Sequence, residues 1–154
     1  MTPDWAFLLP ALPICLWVMY TDVSSMRIPN VAVLALVAVF AVVGPFLLPF
    51  HEFAWRWAQL LIVLGGALVI AMLGQMGMGD VKFAAAMALF VRPEDAAAYC
   101  WLLFVVTCIA LALHRFVRVV PPLRAGMPDW KSWDHPGFPM GIPLAATLLV
   151  YLAA

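Results

Sequence analysis

Six apolar stretches, at residues 5–20, 31–50, 57–73, 81–91, 96–113 and 138–154, dominate this chain. Most run to roughly 16–20 residues, near the ~20 that a helix needs to cross a hydrocarbon core; the stretch at 81–91 is too short to cross alone. They show no strict alternation, and backbone surrounded by lipid must close its own hydrogen bonds, so they are predicted to be helices. Composition decides what surrounds them. Of the 154 residues 67% are hydrophobic and only 10% charged, whereas a soluble domain carries about a quarter charged. So few charges cannot coat a water-exposed surface around this much Leu, Val, Ala and Phe. The sequence predicts an all-α integral membrane protein of six transmembrane helices, built as a single membrane-embedded domain over residues 1–154.

Charge placement orients the bundle. With the N-terminus outside and the segments alternating, the inner connections hold Arg27, Lys82, Arg115, Arg118, Arg124 and Lys131, while Arg56 and Arg92 fall outside. That asymmetry follows the positive-inside rule, and the reverse orientation inverts it. Membrane lipid is an expected partner. A formal net charge of zero argues against nucleic acid, whose phosphates need a basic surface. Residues 1–4 carry no Lys or Arg, so the start lacks the basic region of a signal peptide and the first stretch is expected to remain as a helix. Pro10 and Pro13 are expected to kink it. The long inner connection 114–137 reads as a solvated loop with Trp130 and Trp133 as anchors, or as a segment lying on the inner leaflet. Cys15, Cys100 and Cys108 lie in apolar stretches without a CxxC pair, and His51, His114 and His135 are scattered. The thiols are therefore expected to be buried packing groups, with neither a metal nor a cofactor implied.

Two acids stand against this background. Asp22 follows the first stretch, and Asp80 lies in Gly77-Met78-Gly79-Asp80-Val81-Lys82. The expected topology puts both at the inner face. Carboxylates in or beside a bilayer are costly and point to function. Two that meet in one site share a proton and activate a water. If Arg92 marks the outer interface, Asp80 lies ~18 Å below it at 1.5 Å per residue, within a core of ~30 Å. It would then sit beneath the inner surface, against protein or a wet cavity. Gly77 and Gly79 suit such a dip through unusual dihedrals and close backbone approach.

Structural readings stand beside these. Asp80 before Val81 is a good helix N-cap, worth ~1 kcal/mol and compatible with catalysis. Residues 22–25 read as an ordinary polar turn. Lys82 either snorkels to the interface or pairs with a carboxylate, and Arg27 is an inner anchor or a counter-ion. Ile28-Pro29-Asn30 reads as an extended bend into the second helix. No GxSxG, HExxH or Walker loop is present.

The run from Asp22 through Arg27-Ile28-Pro29-Asn30, then Met76-Gly77-Met78-Gly79-Asp80-Val81-Lys82, then Pro139-Met140-Gly141, resembles the motifs of the prepilin peptidases. These are GxGD membrane aspartic proteases, also called type IV leader peptidases. The resemblance implies that Asp22 and Asp80 are catalytic. It also implies that Arg27, Gly77, Gly79, Lys82, Pro139 and Gly141 bind substrate or support the site. The implied enzyme is an aspartic endopeptidase of the bacterial inner membrane. It would remove the basic leader of type IV prepilins and pseudopilins on the cytoplasmic side, just before their apolar segment.

The chain is similar to the short branch serving Flp or tight-adherence pili. Its first inner connection, 22–30, is too short for the cysteine-paired domain of longer relatives, so N-methylation of the product is not expected. Read without the resemblance, the same acids also suit two other proteins. One is a proton-conducting or transporter-like protein using Asp80 alone; the other is a presenilin-like protease cutting within membrane helices.

Overall fold

The computed structural model describes residues 5–74, 76–126 and 128–154, and these form only helices and their connections. The reading of residues 1–4 lies outside the described residues. The helices are α1 (Trp5–Ser25), α2 (Asn30–Leu47), α3 (Phe50–Met72), α4 (Met78–Ala88), α5 (Ala96–Val119), α6 (Pro121–Ala125), α7 (Lys131–Asp134) and α8 (Gly141–Ala153). A 3-10 turn at Pro93–Asp95 leads into α5. Four are long and apolar enough to cross a membrane: α1, α2, α3, and α5 with its preceding turn. The other two apolar helices, α4 and α8, have 11 and 13 residues. At 1.5 Å per residue α4 is only ~16 Å long. It needs no greater length, because α2, α3 and α8 pack around it and Phe83, Met87, Leu89 and Phe90 are fully enclosed.

Several boundaries differ from the expectation, and each difference moves a polar residue. Helix α1 stays continuous through Pro10 and Pro13 and runs on to Ser25. Asp22 is therefore in its last turn, not in a polar turn after it. The helix stops where Met26 takes a left-handed φ of 54° and donates its N–H to the Asp22 carbonyl at 2.8 Å, a local close of the αL type. Helix α3 starts at Phe50, so Arg56, expected in an outer connection, is inside the helix and 1% exposed. Its guanidinium donates to Glu52 one turn back and to the Leu89 carbonyl at 3.2 Å.

The connection 114–137 is exposed over most of its described residues but is not a plain loop: α5 continues into it, α6 and α7 follow, and His114, Ser132 and Trp133 are buried. His114 stacks on Trp133 with ring centroids 4.8 Å apart. Of the three thiols only Cys15 is buried, whereas Cys100 and Cys108 are exposed.

Apolar burial within lipid gains little from water exclusion, so close packing has to hold such a bundle together. Helix α1 packs chiefly on α8, and both bury small or branched residues, among them Ala11, Cys15 and Val18 on α1 and Ala145 and Leu148 on α8. Phe7, Phe40 and Phe90 form an enclosed knot with centroids 5.3–5.8 Å apart, tying the start of α1 to the later part of α2 and the end of α4. The opposite end gathers the finish of α1 and the starts of α2, α4 and α8.

Candidate active site

Asp22 projects from the last turn of α1 and is 5% exposed. One of its oxygens, Oδ2, accepts the Gly141 N–H at 2.6 Å. Gly141 is the first residue of α8, so its N–H is one of the donors that a helix start leaves without an internal partner. The approach is close enough to require glycine. A Cβ at position 141 would lie 2.9 Å from both Cβ and Oδ2 of Asp22.

Asp80 belongs to the first turn of α4, whose N-cap is Gly77. This corrects the expectation that Asp80 itself caps a helix beginning at Val81. Its carboxylate folds back against Gly77. Of the two roles expected of the glycines, close approach holds and unusual dihedrals do not. Gly77 has ordinary extended angles, φ −73° and ψ 147°. Among the described residues, left-handed glycine geometry occurs at Gly74, with φ 74°. What Gly77 and Gly79 supply is room. A Cβ on Gly77 would meet Asp80 Oδ2 at 3.0 Å, and one on Gly79 would meet the Ile28 Cβ at 3.3 Å.

Asp22 and Asp80 line the same cavity, of about 430 Å³, between the ends of α1, α4 and α8. Such a volume admits several waters and part of an extended peptide. Met26, Arg27, Ile28, Met78, Phe138 and Met140 contribute to the wall. Of the residues singled out in the sequence, Asp22, Arg27, Gly77, Gly79 and Asp80 meet here. Gly141 reaches the site through Asp22.

Lys82 does not pair with either carboxylate. Its Nζ donates to Asn30 Oδ1 at 3.1 Å, joining α4 to the start of α2. Pro139 is buried, and its carbonyl accepts the Ile142 N–H at 3.4 Å in the approach to α8. His135, read in the sequence only as one of three scattered histidines, lines the cavity with Nδ1 accepting the Gly137 N–H at 2.9 Å. Its one sequence clue was its place shortly before the Pro139-Met140-Gly141 element.

No curated protein and no solved structure matches the chain. Residues 9–115 match the family model Peptidase_A24, the type IV leader peptidase family. The matched span holds Asp22, Gly77, Gly79 and Asp80 and ends before Gly141, whose link to Asp22 comes from the geometry. It covers more than half of the sequence. The chain therefore belongs to the type IV leader peptidase family and is a membrane protease of the aspartic prepilin peptidase kind.

Proposed function

We propose that this peptidase cuts prepilin leaders with Asp22 and Asp80 as its water-activating pair. The observation that carries the reading is their shared cavity, in which Asp22 accepts the Gly141 N–H and Asp80 lies against Gly77. Two carboxylates in one cleft favour holding a single proton between them. The ionised one takes a proton from water as the oxygen attacks the scissile carbonyl, and the protonated one gives its proton to the carbonyl oxygen. Collapse of the resulting diol breaks the C–N bond, and the proton taken from water goes to the leaving amine.

In this reading the chain is one domain of six crossings, with α4 and α8 as the short fourth and sixth and the N-terminus outside. The site then opens toward the cytoplasm of a bacterial inner membrane. Arg118, Arg124 and Lys131 support this, because the segment that carries them leads from the end of α5 into the cavity wall at His135. The substrate would be a prepilin or pseudopilin of the Flp type. The connection between α1 and α2 spans only residues 26–29, which leaves no room there for a methylating domain, so the product would carry an unmodified terminus.

The test is co-expression with a candidate prepilin and mass measurement of its N-terminus. Wild type should release the leader without adding a methyl group, and Asp22→Asn and Asp80→Asn should each leave it attached. Processing that persists in either variant refutes the pair. Loss of cleavage in Asp80→Asn alone would replace the pair with a single-carboxylate mechanism.

A further inference from the structure

One face of α4 leads away from the carboxylates into a second cavity. Asp80, Ala84 and Met87 recur at helical spacing and share that face. Ala84, Met87 and Ala88 floor a slot of about 170 Å³, with Val63 of α3 on one side and Cys100 of α5 on the other. Helix α8 makes the same step. Gly141 holds Asp22, and Leu144, three residues on, lines the slot. The near end of the slot, at Ala84 and Leu144, therefore lies about one helical turn, ~5 Å, beyond both carboxylates, and its far end reaches Gln59, Val91 and Tyr99. Its walls are almost wholly apolar, and Cys100 also borders a shallow trough on the outer surface of α5.

We propose that this slot seats the apolar helix of the membrane-anchored substrate, immediately beyond the scissile bond. The inference rests on the proposed peptidase activity and adds where the uncut part of the substrate lies. The two cavities have no lining residue in common, but about one turn of α4 separates their near ends, so a peptide lying along α4 would change from polar to apolar close to the cut. Inside the bilayer the apolar part has to be helical to satisfy its backbone. Alanines on the floor allow a second helix to approach closely. The slot is too small for a whole helix and fits the side chains of one face.

Cys15→Ala and Cys108→Ser leave Cys100 as the only thiol. This chain is reconstituted in vesicles with a prepilin bearing single cysteines at successive positions after the cut, and then oxidised with copper phenanthroline. Links should recur every three or four positions over the first few turns. A thiol moved to Val42, 65% exposed on α2, should give none. In parallel, Cys100→Trp should raise KM about tenfold with kcat kept. Absent links, links of equal yield at every position, or a KM within twofold of wild type would mean that the slot holds only lipid. Cutting of the same prepilin by the unmodified chain is scored separately. If cutting fails, the activity itself falls; if cutting proceeds without links, only the docking site falls.

Discussion

The two ends of this bundle treat polar side chains in opposite ways. Where α3 starts and α4 stops, Arg56 donates to Glu52 and to the Leu89 carbonyl, and Gln59 donates to the Val91 carbonyl at 3.2 Å. Nearby, the Tyr151 hydroxyl donates to Asp95 at 2.8 Å and accepts the Arg92 N–H at 3.1 Å. Most of these partners are groups left open by the finish of α4 and the start of α5. At the other end Asp22 accepts one glycine N–H, Asp80 lies against Gly77, and both line a cavity. A carboxylate accepts at about four lone-pair positions, so acceptor capacity remains for water or a peptide group. Polarity is buried at both ends. Among the described residues Gln59 Oε1 and the Tyr99 hydroxyl are also without partners at the first end, so what sets the second end apart is a pair of carboxylates on one cavity.

The hardest test of this division removes charge at each end in turn. Asp22→Asn and Asp80→Asn keep the side-chain shape and lose the proton-transfer group, so cleavage should fall by about 10²–10⁴-fold. Their thermal midpoints should stay close to wild type. Arg56→Met should do the reverse. It leaves the buried Leu89 carbonyl without its donor and removes the partner of the half-exposed Glu52, a loss of about 1–3 kcal/mol. Thermal unfolding in detergent should register that loss, while the folded fraction cleaves prepilin at the wild-type kcat. A slow but stable Arg56 variant would break the comparison.

How legible these ends were in the sequence depended on the distance between partners. The long apolar runs announced helices, because hydropathy contrast is local and strong in a membrane chain. The short motifs around Asp22 and Asp80 pointed, through their resemblance, to two side chains that line one cavity. The polar ends of α1 and α3 looked like connections, because an acid or arginine beside an apolar run usually marks its edge. Asp22 and Arg56 are instead held by Gly141 and Leu89, 119 and 33 residues away. No spacing rule reaches that far. Which side chains Gly77 and Gly79 make room for was hidden for a related reason: it follows from where α4 begins and what stands opposite.

The glycines allow a finer comparison within the site. An added methyl at position 141 meets the Cβ of Asp22, which is fixed to the α1 backbone, as well as its carboxylate oxygen. Neither helix end yields easily, so Gly141→Ala should displace the carboxylate. A 1 Å misplacement can cost about 10²-fold in rate, and kcat should fall by that order with the helix content unchanged. Gly77→Ala meets only carboxylate atoms of Asp80, the nearest at 3.0 Å, and a carboxylate turns about its own bonds. Its loss should be nearer tenfold. If the two alanines act equally, or Gly77→Ala is worse, the rigidity argument is wrong.

The smallest effect is expected where α8 joins the two ends. The helix begins at Gly141, beside Asp22, and carries Tyr151 about 15 Å further along at 1.5 Å per residue. Tyr151→Phe keeps the ring against Tyr99, at a centroid distance of 5.3 Å, and removes only the hydroxyl that meets Asp95 and the Arg92 N–H. Losing those bonds should cost about 1 kcal/mol of stability, visible as a small drop in midpoint. The kcat should stay within twofold, because Asp22 is located by the first N–H of α8 and by α1, not by the far end of α8. A tenfold loss of kcat would show that α8 moves as a rigid lever between its ends, so that the polar network at one end sets the position of the carboxylate at the other.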